Sequence, residues 1–247
     1  MESIITVKDL KKYYGKGEGR IKALDGVNLE IEKGKFTAVT GSSGSGKTTL
    51  FNMIGGLDYP DSGSVTVDGI ELQGMRERQL AVFRRSKIGF IYQSYNLIPS
   101  LTVQENILFS VNLGKQAVDW VFFQEITGFL KLDKRLNDYP HQLSGGGQQR
   151  VGIARALMLK SGIVLADEPT GNLDSRTSQE VLGLLKSAAD TYRQTLVMIT
   201  HNPDIAQMAD RVVRMEDGKI LERVGRQDGK YQSACLSEID FSSDENL

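Results

Sequence analysis

Phe36-Thr37-Ala38-Val39-Thr40 runs directly into Gly41-Ser42-Ser43-Gly44-Ser45-Gly46-Lys47-Thr48, and Thr49-Leu50-Phe51-Asn52-Met53-Ile54 follows. The first five residues are a short apolar run of the strand kind, and Leu50, Met53, Ile54 and Leu57 recur at helical spacing. Between them lies the pattern G-x-x-x-x-G-K-[ST]. Its chemistry depends on those residue types. Glycines let successive backbone N–H groups converge on phosphate oxygens, and the following helix aims its positive end at the same place. The Lys47 ammonium reaches the β- and γ-phosphates, and the Thr48 hydroxyl is suited to ligate Mg²⁺. Gly41, Ser42, Ser43, Gly44, Ser45, Gly46, Lys47, Thr48 and Thr49 are therefore the expected cradle of a nucleoside triphosphate.

Further along, Ile163-Val164-Leu165-Ala166 is a second buried-strand run, and it ends in Asp167-Glu168. In parallel sheets, ligands bind in the crevice outside the carboxyl ends of the strands. Asp167 is expected to hold Mg²⁺, through water, and Glu168 to face the attacking water as base or polariser. Leu196-Val197-Met198-Ile199-Thr200 is a third such run, followed by His201, which is placed to donate a hydrogen bond to a γ-phosphate. Asn202-Pro203 reads as the N-cap and first residue of a helix. His141 has no comparable placement and reads as structural or exposed.

Around these runs, Ile5 and Val7, then Val27, Leu29 and Ile31, then Val65 and Val67 alternate with polar residues. Asp68-Gly69 is a turn signal between strands. From Val103 to Ala156 the patterning is helical, and Val181, Leu184, Leu185 and Ala188 continue it later. Buried strands alternating with helices imply a parallel α/β sheet, and the alternating early strands imply a smaller antiparallel sheet beside it.

Composition narrows the function classes. The chain has 247 residues, with 30 Lys+Arg against 31 Asp+Glu and a formal net charge of −1. A near-neutral chain does not bind nucleic acid by bulk electrostatics, so no nucleic-acid partner is expected. Cys235 is the only cysteine, which excludes an internal disulfide. No signal peptide and no run of apolar residues long enough to span a membrane is visible. The expectation is a cytosolic chain, or one on the cytosolic face of a membrane. Glycine is in surplus: 26 residues are present, against roughly 17 expected at about 7% average usage. Part of that excess forms a second anion site, Ser144-Gly145-Gly146-Gly147, at the start of a helix carrying Val151, Ala154 and Met158. One nucleotide has little use for two phosphate sites within one chain.

The residues 41–48, Gln93, Leu143-Ser144-Gly145-Gly146-Gly147-Gln148-Gln149-Arg150, the run 165–170, Asn172-Leu173-Asp174 and His201 resemble, in order and spacing, an ABC-transporter ATP-binding subunit. The resemblance covers roughly residues 4–224. It implies a P-loop NTPase (RecA-like) α/β core, an antiparallel β subdomain, and an inserted α-helical subdomain at about 95–160. Residues 225–247 are then left as a polar, mobile tail. It also implies ATP and Mg²⁺ as cofactors and a head-to-tail dimer, in which the phosphate loop of one copy and the signature of the other enclose each ATP.

Under that resemblance Tyr14 stacks on adenine, with adjacent Tyr13 the alternative. Gln93 meets Mg²⁺ and water and links to the helical subdomain. Ser144, Gly145 and Gly146 face the partner's γ-phosphate, Asp174 couples the two sites, and His201 is the switch histidine. One position departs from the family pattern: Gly147 stands where Gln or Glu is usual, which removes a side chain but keeps the backbone donors. The run 166–174 is similar to the lipoprotein-release, macrolide-export and cell-division group. Tyr14-Gly15-Lys16-Gly17-Glu18, Ile54-Gly55-Gly56-Leu57-Asp58, Phe83-Arg84-Arg85, Gln93-Ser94-Tyr95-Asn96-Leu97 and Met198-Ile199-Thr200-His201-Asn202 resemble more specifically the bacitracin-type peptide-antibiotic resistance exporters. The implied partners are a separate transmembrane permease, docking near residues 93–102, and through it a sensor histidine kinase. The implied location is the cytoplasmic face of a bacterial membrane. The ATPase of a lipoprotein-release, macrolide-export or cell-division signalling permease, and an ABC ATPase without transport, are the competing expectations.

Overall fold

The computed structural model describes residues 2–227 and 230–233. In chain order the strands are β1 (Ser3–Tyr14), β2 (Ile21–Glu32), β3 (Phe36–Thr40), β4 (Ser62–Val67), β5 (Ile70–Glu71), β6 (Ile88–Tyr92), β7 (Ile163–Asp167), β8 (Thr195–Ile199), β9 (Arg211–Glu216), β10 (Lys219–Gln227) and β11 (Lys230–Ser233). The helices are α1 (Lys47–Ile54), α2 (Glu77–Lys87), α3 (Val103–Leu113), α4 (Trp120–Phe129), α5 (Gly145–Leu157), α6 (Ser175–Thr191) and α7 (Pro203–Met208).

Strands β2-β1-β4-β5 form one sheet, and β11-β10-β9-β3-β8-β7-β6 form the other. In the first, β1 runs antiparallel to both β2 and β4, and the Asp68-Gly69 turn closes β4 onto β5 with both residues at positive φ. In the second, β9, β3, β8, β7 and β6 are parallel neighbours. The expected parallel core, smaller antiparallel sheet and helical stretch are all present.

Alternation along the central strands explains why these runs are continuously apolar. Val164 and Ala166 of β7 and Leu196 and Met198 of β8 join one hydrophobic cluster, with α3, α4, α5 and α6. Ile163 and Leu165, Val197 and Ile199 join the other, with α1 and the four-stranded sheet. Both faces of the parallel sheet are covered, as such sheets require.

The helical layer is fixed by caps and by one buried amide. Thr102 accepts from the Glu105 N–H and the Glu105 carboxylate accepts from the Thr102 N–H, a reciprocal cap on α3. Asn106 is fully buried. It accepts from Ile98 N–H and donates to the carbonyls of Ile98, Leu101 and Thr102, which pins the segment 98–102 to α3. Trp120 opens α4, 52% exposed, its ring edge-on to Phe123 at 5.5 Å.

Two features depart from the sequence expectation. Helix α2 has no counterpart there, because only Leu80 and Phe83 on it are buried. The described part of the tail expected from residue 225 is strand instead: β10 continues through Gln227 and pairs with β11, Gln227 opposite Lys230. Asp228-Gly229, a two-residue hairpin signal, separates them in sequence. Cys235 and the stretch 234–247 lie outside the described residues.

The start of α5 packs tightly on the start of α6. A Cβ at Gly145 would stand 2.8 Å from the Tyr95 hydroxyl and 3.1 Å from Leu173 Cδ2, and one at Gly146 would stand 2.4 Å from Thr177 Cγ2. Gly146→Ala is therefore expected to destabilise the fold by about 1–3 kcal/mol through overpacking. Thr177→Ser, which deletes the opposing methyl, should restore most of the loss, as read by thermal melting of the single and double variants.

Candidate functional site

The strand order gathers the sequence-predicted residues at one edge of the parallel sheet. Val39 pairs with Ile199, Ile199 with Asp167 and Asp167 with Tyr92. The next residues are the loop 41–46 after β3, Thr200 and His201 after β8, Glu168 after β7 and Gln93 after β6. Chemistry read from four separated stretches thus arrives at the carboxyl ends of four neighbouring strands.

The loop after β3 is shaped by what surrounds it. Gly41 (φ 149°) and Gly46 (φ 100°) admit no side chain: a Cβ at Gly41 would lie 2.2 Å from the Met215 carbonyl oxygen, and one at Gly46 2.2 Å from that of Ala23. Helix α1 starts at Lys47 with no side chain capping it. An uncapped helix start behind a glycine cradle leaves N–H donors for an anionic ligand, so the loop fits a polyphosphate. Lys47 Nζ donates to the carbonyls of Gly41 (2.7 Å) and Ser42 (2.6 Å). Burial pulls its ammonium pKa below the ordinary lysine value, while Glu168 and Asp167 oppose the shift. Asp167 moves the other way: burial pushes its carboxyl up, Glu168 adds to that, and Lys47 counters it. A divalent cation would offset the charge of the half-buried Asp167, and Thr48 and Asp167 are the hard oxygen donors suited to it.

Glu168 sits in the left-handed region (φ 43°), and its N–H donates to the Ile199 carbonyl at 3.0 Å. Its carboxylate stands 3.1 Å from His201 Nδ1. A left-handed glutamate is a local backbone cost held in place by its neighbours, here β8 and the turn to Gly171, whose N–H donates to the Glu168 carbonyl at 3.0 Å. Gln93 lies against that turn: its Nε2 donates to Asn172 Oδ1 at 3.3 Å, and Asn172 Nδ2 donates back to the Gln93 carbonyl at 3.0 Å.

The two tyrosines differ in surroundings. The Tyr14 hydroxyl donates to Asp58 at 2.9 Å, and the Thr49 side chain of α1 lies beside the same hydroxyl. The Tyr13 hydroxyl donates to Asp25 at 2.6 Å, and the Arg20 guanidinium covers its ring at 4.4 Å. Tyr14 is the one tied to the phosphate-loop helix.

The remaining predicted residues lie apart from this edge. Ser144 caps α5 by accepting from the Gly147 N–H at 3.2 Å. The neighbours of Gly145 and Gly146 are Tyr95, Leu173 and Thr177, none of which belongs to the phosphate loop. Asp174 caps α6, accepting from the Thr177 N–H at 3.0 Å, and that bond holds its carboxyl below the usual range. His141 is exposed and stacks on Tyr139.

Sequence reasoning missed three contributors. Arg155 of α5 donates to the carbonyls of Tyr95 (2.9 Å) and Asn96 (2.5 Å), two consecutive left-handed residues (φ 61° and 46°). Asp58 receives Tyr14 and also pairs with Lys12 at 2.9 Å. Asn172 was legible only as part of a motif, not as a partner of Gln93. No signal in the sequence links residues 79 positions apart.

Comparison with known proteins gives the family of the chain. The ABC transporter family profile matches residues 24–171. The bacitracin export ATP-binding protein BceA of Halalkalibacterium halodurans is 38% identical over 94% of this chain and 92% of its own length. The lipoprotein-releasing system ATP-binding protein LolD of Cytophaga hutchinsonii is 40% identical over 90% of this chain and 100% of its own. The macrolide export ATP-binding/permease protein MacB of Mannheimia succiniciproducens is 41% identical over 98% of this chain, and the chain spans only 39% of its length. Among solved structures, a dimeric ATP-binding cassette in a post-hydrolysis state bound to ADP and Pi is 38% identical, with a TM-score of 0.80 over 90% of this chain and 98% of that one. With phosphate loop, acidic pair, glutamine, signature and histidine on one cassette fold, the chain belongs to the ABC transporter family, as an ATP-binding cassette ATPase.

Proposed function

We propose that this cassette hydrolyses ATP between two copies of itself and thereby drives a separate membrane permease, in the manner of the antimicrobial-peptide exporters. One observation carries the mechanism: the phosphate loop and the signature turn stand at different places on the chain, so one copy offers each ATP half a site. The dimeric cassette structure supports the same arrangement. The full-length match to the bacitracin export protein supports the peptide-antibiotic role. The full-length match to the lipoprotein-releasing protein favours lipoprotein extraction as the second reading. A sensor kinase has no support beyond the sequence resemblance and is not part of the proposal. Among the described residues no helix is long and apolar enough to cross a membrane, so the cassette would reach the membrane's cytoplasmic face through the permease.

The residues divide the work. Lys47 exchanges its carbonyl partners for phosphate oxygens, while the N–H groups of residues 41–49 surround them. Thr48, Asp167 and Gln93 would hold Mg²⁺, which supplies charge neutralisation at the phosphates. Glu168 orients the attacking water, and His201, already on its carboxylate, fixes that carboxylate and meets the γ-phosphate. Tyr14 offers its ring to adenine. Ser144, Gly145 and Gly146 serve the partner's nucleotide, and Asp174 lies between the two sites.

A groove of about 380 Å³ between α2, α3 and α5 supports docking of a permease segment. Leu57, Phe109 and Leu113 on its walls are 41%, 39% and 60% exposed, and Arg84, Arg85 and Arg155 line it, Arg84 being paired with Glu77. Of the segment 93–102, Asn96 reaches the groove. An amphipathic helix with apolar anchors and an acidic residue suits it.

Three outcomes test this reading. Glu168→Gln should lower phosphate release by about 10²–10⁴-fold while accumulating an ATP-bound dimer on size exclusion, and undiminished release overturns the role of Glu168. Tyr14→Ala should weaken nucleotide binding by about 5- to 100-fold, the worth of one base–aromatic stack, whereas Tyr13→Ala leaves the binding isotherm unchanged. Leu113→Glu should keep stability within about 0.5 kcal/mol and keep the cassette's own hydrolysis, yet lose co-purification with the permease.

A further inference from the structure

We propose that Asn172 is a positioning residue for Gln93, setting which end of the glutamine amide faces the nucleotide and tying that glutamine to the signature turn. The inference rests on the ATPase reading above and assigns a role that the motif alone does not give.

Three contacts carry it. Asn172 makes a reciprocal pair with Gln93: its Oδ1 accepts from Gln93 Nε2 and its Nδ2 donates to the Gln93 carbonyl, at 3.3 and 3.0 Å. Gly171 provides the floor, since a Cβ there would stand 2.6 Å from Gln93 Nε2 and 3.0 Å from Cδ. Asn172 is itself exposed and bonds across to β6's end rather than within its own turn.

The pair has a chemical consequence. A glutamine amide binds a cation or accepts from water only through Oε1, and a free amide presents either end. With Nε2–H committed to Asn172, Oε1 is the end left for the site. A second consequence is mechanical. The turn starting at Glu168, whose carbonyl accepts from Gly171 N–H, continues through Asn172 to Leu173, against which Gly145 packs. Thr177, which follows in α6, packs on Gly146. Gln93 and the signature turn are therefore joined through Asn172 and Leu173, so a shift of Gln93 toward a bound nucleotide pulls on the turn that supports the signature offered to the other copy.

Asn172→Ala removes both hydrogen bonds, and the test has two arms. In the nucleotide-free, metal-free cassette, amide hydrogen exchange across residues 93–96 should rise about tenfold, the worth of two net hydrogen bonds, with the melting temperature falling by no more than about 6 °C. In the hydrolysis assay, kcat should fall about tenfold at unchanged KM for ATP. In the Gln93→Ala background, adding Asn172→Ala should change the rate by less than about twofold, because the residue acts through Gln93. Unchanged exchange in Asn172→Ala, or a full further tenfold loss on top of Gln93→Ala, overturns the proposal. Should Asn172→Ala fail to fold, Asn172→Ser keeps a polar turn but cannot reach Gln93 and carries the same test. A wild-type chain that hydrolyses no ATP would defeat the ATPase reading alone, and the exchange arm would still decide the clasp.

Discussion

The seven-stranded sheet must hide both of its faces, and everything at the site follows from how it does so. Successive residues of β7 and β8 enter opposite hydrophobic clusters, which fixes their register. A slip of one residue would turn every side chain to the wrong face. Fixed register in turn aligns the strand ends, so that Asp167, Ile199, Tyr92 and Val39 stand side by side and the residues after them share one edge. The catalytic geometry is thus a by-product of apolar packing many residues away from it.

Charge is handled at that edge by mutual dependence. Lys47 is buried enough to lose part of its preference for the charged form, and Asp167 is buried enough to lose part of its own. Asp167 favours the charged form of Lys47 and Lys47 that of Asp167, whereas Glu168 favours the charged lysine and opposes the charged aspartate. Under the proposed function a polyphosphate and a cation would join this cluster, and ligand binding and local electrostatic relief would then be the same event.

Much of this was legible in the sequence, for identifiable reasons. The loop 41–48, the acids ending β7 and the histidine after β8 are each adjacent in the chain to a continuous apolar run, so chemistry and strand end are read together. What escaped has the opposite character. Helix α2 buries only Leu80 and Phe83, too few for a periodic signal. The β10–β11 hairpin is polar along much of its length, so it resembled a tail despite Asp228-Gly229. The Gln93–Asn172 pair and the Arg155 clamp on Tyr95 and Asn96 join residues 59 to 79 positions apart, where only the fold supplies the proximity. The packing role of Gly145 and Gly146 was also hidden, because a glycine that admits a ligand and one that admits a neighbouring helix look the same in sequence.

Trp120 has a practical consequence. It is the chain's only tryptophan, it sits at the start of α4 in the helical layer, and it is half in water and half against Phe123. No indole lies in the sheet or beside the phosphate loop. The protein therefore carries a native fluorophore confined to the layer that holds the signature. Its emission wavelength and quenching record rearrangements of that layer, undiluted by signal from the nucleotide pocket and without any label being attached.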